Sequence, residues 1–152
     1  MKVRPLFCTS AVLVLAATAA AGVKVALDQV PAAAVKAVKE RFPKAEIRFV
    51  DKEGKDRYEF AMKEGDRQFD VGVTAEGRIL NVKEEIAAEK VPDAVKEGVK
   101  KKFPDAEIVE AEKITTGDGK EAKVTYEMVI KTKKGKQGVA FDAAGKYISE
   151  AD

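Results

Sequence analysis

From residue 31 onward, the apolar residues follow one period and then switch to another. Ala34, Val38 and Phe42 recur every four residues, and Lys36, Lys39, Glu40 and Arg41 fill the positions between them. Such spacing keeps one stripe on a 3.6-residue helix and predicts a helix opened by Pro31 and ended by Pro43. The period then becomes two. Ile47 and Phe49 alternate with Glu46 and Arg48. Tyr58, Phe60 and Met62 alternate with Arg57, Glu59, Ala61 and Lys63. Phe69, Val71 and Val73 alternate with Gln68, Asp70, Gly72 and Thr74. This is the mark of an antiparallel sheet with one buried face. Gly54, Gly65 and Gly77 punctuate the runs as short turns, and a fourth strand is expected over Arg78 to Lys83.

The pattern then starts again. Val91-Pro92 opens a helix with Val95, Val99 and Phe103 on its stripe, and Pro104 closes it. Strands follow at Val124 to Ile130, at Val139 and Phe141, and at Lys146 to Glu150, with turns at Gly119, Gly135 and Gly145. Phe42-Pro43 returns as Phe103-Pro104, Ala45-Glu46-Ile47 as Ala106-Glu107-Ile108, and Tyr58-Glu59 as Tyr126-Glu127. An insertion near Ile114 to Lys120 lengthens the second copy. An internal repeat constrains architecture more than propensity does. The expectation is an α+β fold of two tandem α-β-β-β-β repeats, with an antiparallel sheet and both helices on one face. A repeat this short buries a thin core, and the connector Ala87 to Lys90 is short. The two copies are therefore expected to pack as one unit with one continuous sheet, and two separate lobes are the alternative.

The N-terminus has a different character. Lys2 and Arg4 precede the apolar run Leu6 to Leu15, and small residues follow around Ala19 to Ala21. Residues 1–21 therefore read as a signal peptide, too short in its apolar run for a membrane span. That leaves repeat one in 22–90 and repeat two in 91–152, and implies a periplasmic or secreted protein. The one Cys, Cys8, lies in the signal segment, and the chain has no His and no Trp. The exported part thus has no disulfide, no Cys or His nucleophile or base, and no Cys- or His-based metal site. Without Lys2 and Arg4, the 28 basic residues become 26, equal to the 26 acidic ones. No net field draws the chain to nucleic acid or to a membrane. No cofactor and no metal are expected.

The motif Pro92, Val95, Phe103, Pro104, Ala106 and Ile108, then Tyr126-Glu127, then Val139, Phe141, Asp142, Gly145 and Lys146, resembles the PepSY-like family. Its tandem units are similar to the β-lactamase inhibitory protein fold. Repeat one carries the same motif from Pro31 and Phe42 to Tyr58, Glu59, Val71, Val73 and Gly77, and departs from it at Ala34 and Thr74. The resemblance implies a non-catalytic extracytoplasmic module that binds or inhibits. It does not imply that β-lactamase is the target.

Glu59 and Glu127 occupy equivalent strand positions. A glycosidase-like role would need a cleft and a raised pKa, so salt-paired strand glutamates are the plainer reading. The stretch Asp51 to Asp56 lacks the spacing of a calcium loop and reads as a hairpin turn. Thr115 to Lys120 precedes a strand and not a helix, so it is no phosphate loop. Lys100 to Lys102 and Lys131 to Lys136 read as a solvated helix face and a charged hairpin tip, with contact to an acidic partner as the sharper alternative. The remaining candidate is the solvent side of the sheet. Arg57, Glu59, Asp70, Thr125, Glu127, Asp142 and Tyr147 are the expected partner-binding residues. Tyr147 competes with Ile148 for the buried side. The expected function is a non-catalytic protein-binding module whose partner is an extracytoplasmic protein, with inhibition of an envelope enzyme as one form of it. The alternative is a small-ligand or ion-sensing domain.

Overall fold

A computed structural model describes residues 22–117 and 121–151. The signal peptide expected at 1–21 and the turn expected at Gly119, within 118–120, lie outside the described residues. Among the described residues, nine strands form one antiparallel sheet in strictly sequential order. In chain order the elements are β1 (Val23–Val25), α1 (Ala32–Arg41), β2 (Glu46–Glu53), β3 (Arg57–Glu64), β4 (Arg67–Thr74) and β5 (Ile79–Glu85). The second half follows with α2 (Asp93–Lys102), β6 (Glu107–Thr116), β7 (Lys123–Thr132), β8 (Gly135–Asp142) and β9 (Tyr147–Ala151). A short 3₁₀ turn precedes each helix, at Leu27–Gln29 and Ala88–Lys90. The edge strand β1 and these turns add to the expected layout.

Pro31 and Pro92 sit just outside the helices and not in their first turn. Each carbonyl takes two of the orphan amides that open the helix: Ala34 N and Val35 N donate to Pro31 O, and Val95 N and Lys96 N to Pro92 O. Phe42 and Phe103 close the helices, donating their N–H to the Val38 and Val99 carbonyls. Ala34 and Val38 are fully buried, as are Val95 and Val99.

The sheet has one covered face and two cores on it. Phe60, Met62, Phe69, Val71 and Val73 pack with Val30, Ala34 and Val38 beneath α1. Met128, Ile130, Val139 and Phe141 pack with Val91, Val95 and Val99 beneath α2. The copies join through β5 and β6, where Asn81 pairs with Thr116, Lys83 with Ile114 and Glu85 with Glu112. One sheet, and not two lobes, is therefore formed.

The strand period is interrupted at matching places in both repeats. Ile47 pairs with Met62, but Phe49 pairs with Ala61, so one extra residue is inserted between them. Ile108 and Glu110 repeat this opposite Ile130 and Val129. A bulge of this kind reverses the faces that follow it. Phe49 was expected inside beside Ile47. It is instead 45% exposed on the open face, and Val50 takes the buried position.

Candidate functional site

The face away from the helices is built from short cross-strand rows. One row runs from Phe49 through Ala61, Asp70, Lys83, Ile114 and Thr125 to Asp142. A second runs through Asp51, Glu59, Gly72, Asn81 and Thr116. A third runs through Glu85, Glu112, Glu127, Ala140 and Ser149. Alternation along the strands, reset by the register shifts in β2, β5, β6 and β9, places these side chains together, and the small residues Ala61, Gly72 and Ala140 keep the surface low between them.

Lys83 stands where the two repeats meet. Its Nζ lies 3.1 Å from Glu59 Oε2, and both side chains are mostly covered. Asp70 lies directly opposite Lys83 on β4. Burial works against the Lys83 charge, but the hydrogen bond it donates to Glu59 and the fields of Glu59, Glu53 and Glu112 outweigh it, so its pKa is raised. The Asp70 carboxyl is pushed up, first by burial and then by Glu59, with Lys83 opposing. The Glu112 carboxyl is pushed up by burial too. Lys83 again opposes, and Glu127, Asp70 and Glu59 add to the rise. The centre of the open face is therefore a half-buried carboxylate group organised around one ammonium. Ile114, beside Lys83, is buried although it belongs to this face.

Two hollows border this centre. One, of about 400 Å³, is lined by Glu85, Glu110, Glu112, Glu127, Val129 and Gly138, among others. The other, of about 220 Å³, is lined by Phe49, Ala61, Asp70, Lys83 and Glu112, among others. Among the described residues, no three carboxylates are arranged to hold a metal ion.

The structure brings together only part of the expected site. Glu59 and Asp70 flank Lys83. Glu127 lies opposite Glu112 and adds to its field. Thr125 lies between Ile114 and Asp142. Asp142 is engaged in its own turn, where its Oδ1 accepts the N–H groups of Ala144 at 3.0 Å and Lys146 at 2.9 Å. Arg57 lies towards the end of the face, its Nε 2.9 Å from Glu53 Oε2 in an ion pair whose geometry is not that of a hydrogen bond. Tyr147 is on the other side of the sheet. Its ring meets Phe103 at 6.1 Å and Phe141 at 5.5 Å in edge contacts within the α2 core. A bulge between Ala140 and Phe141 leaves Ile148 out of register, and Ile148 is 50% exposed.

Phe49, Asp51, Asn81, Lys83 and Glu112 are among the open-face residues that the sequence reading missed. Asn81 and Lys83 reach the open face only after a register shift between Ile79 and Asn81, which reverses the faces of β5. Finding Phe49 requires the bulge, which leaves no sign in the alternation itself.

A family model described as "Putative beta-lactamase-inhibitor-like, PepSY-like" matches residues 17–81 and again 73–148. The chain belongs to the PepSY-like family. Among solved structures, this PepSY-like chain is similar to a BLIP-like protein from Bacteroides fragilis, with 17% identity, a TM-score of 0.66, and coverage of 79% of this chain and 84% of that one. It is also similar to a DUF2874 family protein from Bacteroides ovatus, with 9% identity, a TM-score of 0.68, and coverage of 80% and 86%. A third relative in structure is a "putative periplasmic" protein from Bacteroides eggerthii, with 16% identity, a TM-score of 0.65, and coverage of 80% and 88%. At these identities the likeness establishes the fold, which is BLIP-like with two repeats. No curated protein matches the chain in sequence.

Proposed function

We propose that this PepSY-like chain is an extracytoplasmic, non-catalytic module that binds a partner protein across the open face of its sheet. The observation that carries the reading is the organised centre of that face. Lys83 is paired to Glu59 and set among Asp70, Glu112 and Glu127, with Phe49 exposed at one end of the same row. Mixed charges around small residues, with an aromatic side chain within reach, are what a protein interface uses for register and anchoring. The apolar run at Leu6 to Leu15 and the periplasmic description of the Bacteroides eggerthii relative support export. Inhibition of an envelope enzyme is the form of binding that the family description suggests.

Affinity capture from an envelope extract, run in parallel with variants, tests the reading. Phe49→Ser and Arg57→Ala are expected to lose the captured protein, whereas Lys39→Ala on the exposed side of α1 keeps it. Loss with Lys39→Ala and retention with both open-face variants places the contact on the helices. Recovery of no specific protein by the wild type counts against a binding role.

A further inference from the structure

The two basic runs of repeat two lie 30 residues apart in sequence, and the fold brings them to one groove. Lys102, at the C-terminal end of α2, and Lys133 and Lys134, at the tip of the β7–β8 hairpin, line a hollow of about 340 Å³ together with Phe103, Pro104 and Ala106. We propose that this groove binds an acidic peptide segment of a partner protein, one that also carries an aromatic side chain to fill it. The site is separate from the open face and does not depend on the function proposed for that face.

The protein contains its own comparison. Repeat one forms a hairpin of the same length at the matching place, with Glu64 pairing Arg67 as Thr132 pairs Gly135, although positive φ falls at Gly65 in one turn and at Gly135 in the other. There the tip positions are Gly65 and Asp66 where repeat two has Lys133 and Lys134, and Glu64 stands in place of Thr132. A two-residue hairpin at this place in the repeat is therefore built without lysines, and with an acid at its tip. The C-terminal end of a helix accounts for some positive charge at Lys100 to Lys102, but not for the charge on the hairpin facing it.

The charges are available. Lys133 Nζ lies 2.8 Å from Asp105 Oδ2, but the two side chains are 83% and 68% exposed, a setting in which ion pairs contribute little. A carboxylate-bearing partner can replace Asp105 at small cost. Lys102 is exposed as well, and its Nζ lies 4.8 Å from the Tyr147 ring centroid, a contact that is weak at an exposed site. Phe103, Pro104 and Ala106 supply apolar surface between the lysines. A lipid headgroup layer would meet the charges and leave that surface unfilled, so a peptide with an aromatic residue is the better complement.

The test uses fluorescein-labelled Glu-Asp-Phe-Asp-Glu and its Ala-centred counterpart, read by anisotropy at low and at physiological salt. The whole protein is expected to bind the Phe peptide more tightly than the Ala peptide. Lys133→Glu with Lys134→Glu should weaken binding by about tenfold or more, with an unchanged melting temperature. Asp105→Asn should tighten it, because it frees Lys133. Arg41→Glu, at the matching place in repeat one, should leave it unchanged. Equal affinity of wild type and double variant overturns the proposal, as do equal affinity for the two peptides and failure of the wild type to bind either. Co-sedimentation with equimolar phosphatidylcholine and phosphatidylglycerol vesicles, abolished in the double variant and without peptide binding, assigns the patch to a membrane instead. Arg57→Ala should not alter peptide binding, so failure here leaves the open-face reading standing.

Discussion

The carbonyl of Ala94, in the first turn of α2, lies against Gly145 in the β8–β9 turn, and any β-carbon on Gly145 would collide with it. The same contact joins Ala33 to Gly77 in repeat one, where a β-carbon would fall 2.6 Å from the Ala33 oxygen. Both glycines also have positive φ, 81° and 89°. Each helix is thus seated on the last turn of its own repeat, at a place that accepts no side chain.

Gly145→Ala and Gly77→Ala should therefore cost more than alanine at an open turn. The expected loss is roughly 1–3 kcal/mol from strained backbone alone, with the collision added to it. Gly65→Ala, with φ of 60° and nothing near its β-carbon, should cost about 1–2 kcal/mol. Urea unfolding of the three variants gives the ranking, and a Gly65 variant as unstable as the other two contradicts the seating contact.

Phe60 and Phe141 are completely buried, whereas Phe42 and Phe103 at the helix ends are only partly so. Truncating either of the first pair to Ala should cost about 3–5 kcal/mol. Truncating Phe42 or Phe103 should cost less, because each ring keeps one solvent-facing side. Phe42 gives up a tilted contact with Phe69 at 4.9 Å. Chemical denaturation distinguishes the pairs, and equal losses in all four would mean that the helix ends are packed more deeply than described.

The carboxyls of Asp70 and Glu112 have raised pKa values, so in the fold they hold protons to higher pH than in the unfolded chain. Just above the ordinary carboxylate range the native state then binds more protons, and the contribution of these two groups to stability falls as pH rises. Lys83 behaves in the opposite sense. Its raised pKa adds stability that is fully present at neutral pH and is lost as pH climbs through its folded value. Lys83→Met removes the cation that opposes both shifts, so Asp70 and Glu112 should titrate higher still. Carboxyl-carbon NMR titration reads this directly, and a downward shift of either group contradicts the central role given to Lys83.

Phe49→Ser should leave stability within about 0.5 kcal/mol of wild type, because the ring is on the surface. Its one described ring contact is with the Lys24 ammonium, 4.4 Å from the centroid. A thermal melt shifted by many degrees would mean that the ring closes the sheet edge and is not free for a partner.

The repeat made most of the fold legible. Period-four and period-two apolar spacing located both helices and the strands of each copy, because burial on one face leaves a regular trace. The bulges left none. Beside Ile47 the extra residue turns Phe49 outward, and at β9 Tyr147 pairs directly with buried Phe141 and faces inward, with the extra residue, Ile148, following it. Strand β1 was missed because three residues carry too little pattern to be read. In the candidate site, Glu59 and Asp70 followed from alternation. Their partner Lys83 lies beyond a register shift between Ile79 and Asn81, which reverses the faces of β5 and cannot be read from the alternation of β4.

The sequential strand order also bears on how the chain acquires its shape. Every strand pairs with the one made just before or just after it, so most sheet contacts close short loops and little entropy is spent on distant encounters. The first repeat can be completed before the second exists, and β5 then offers a finished edge on which β6 can align. Assembly of this kind proceeds from one end, like a zip, with the β1–β2 and β5–β6 joints as the steps where the intervening chain includes a helix.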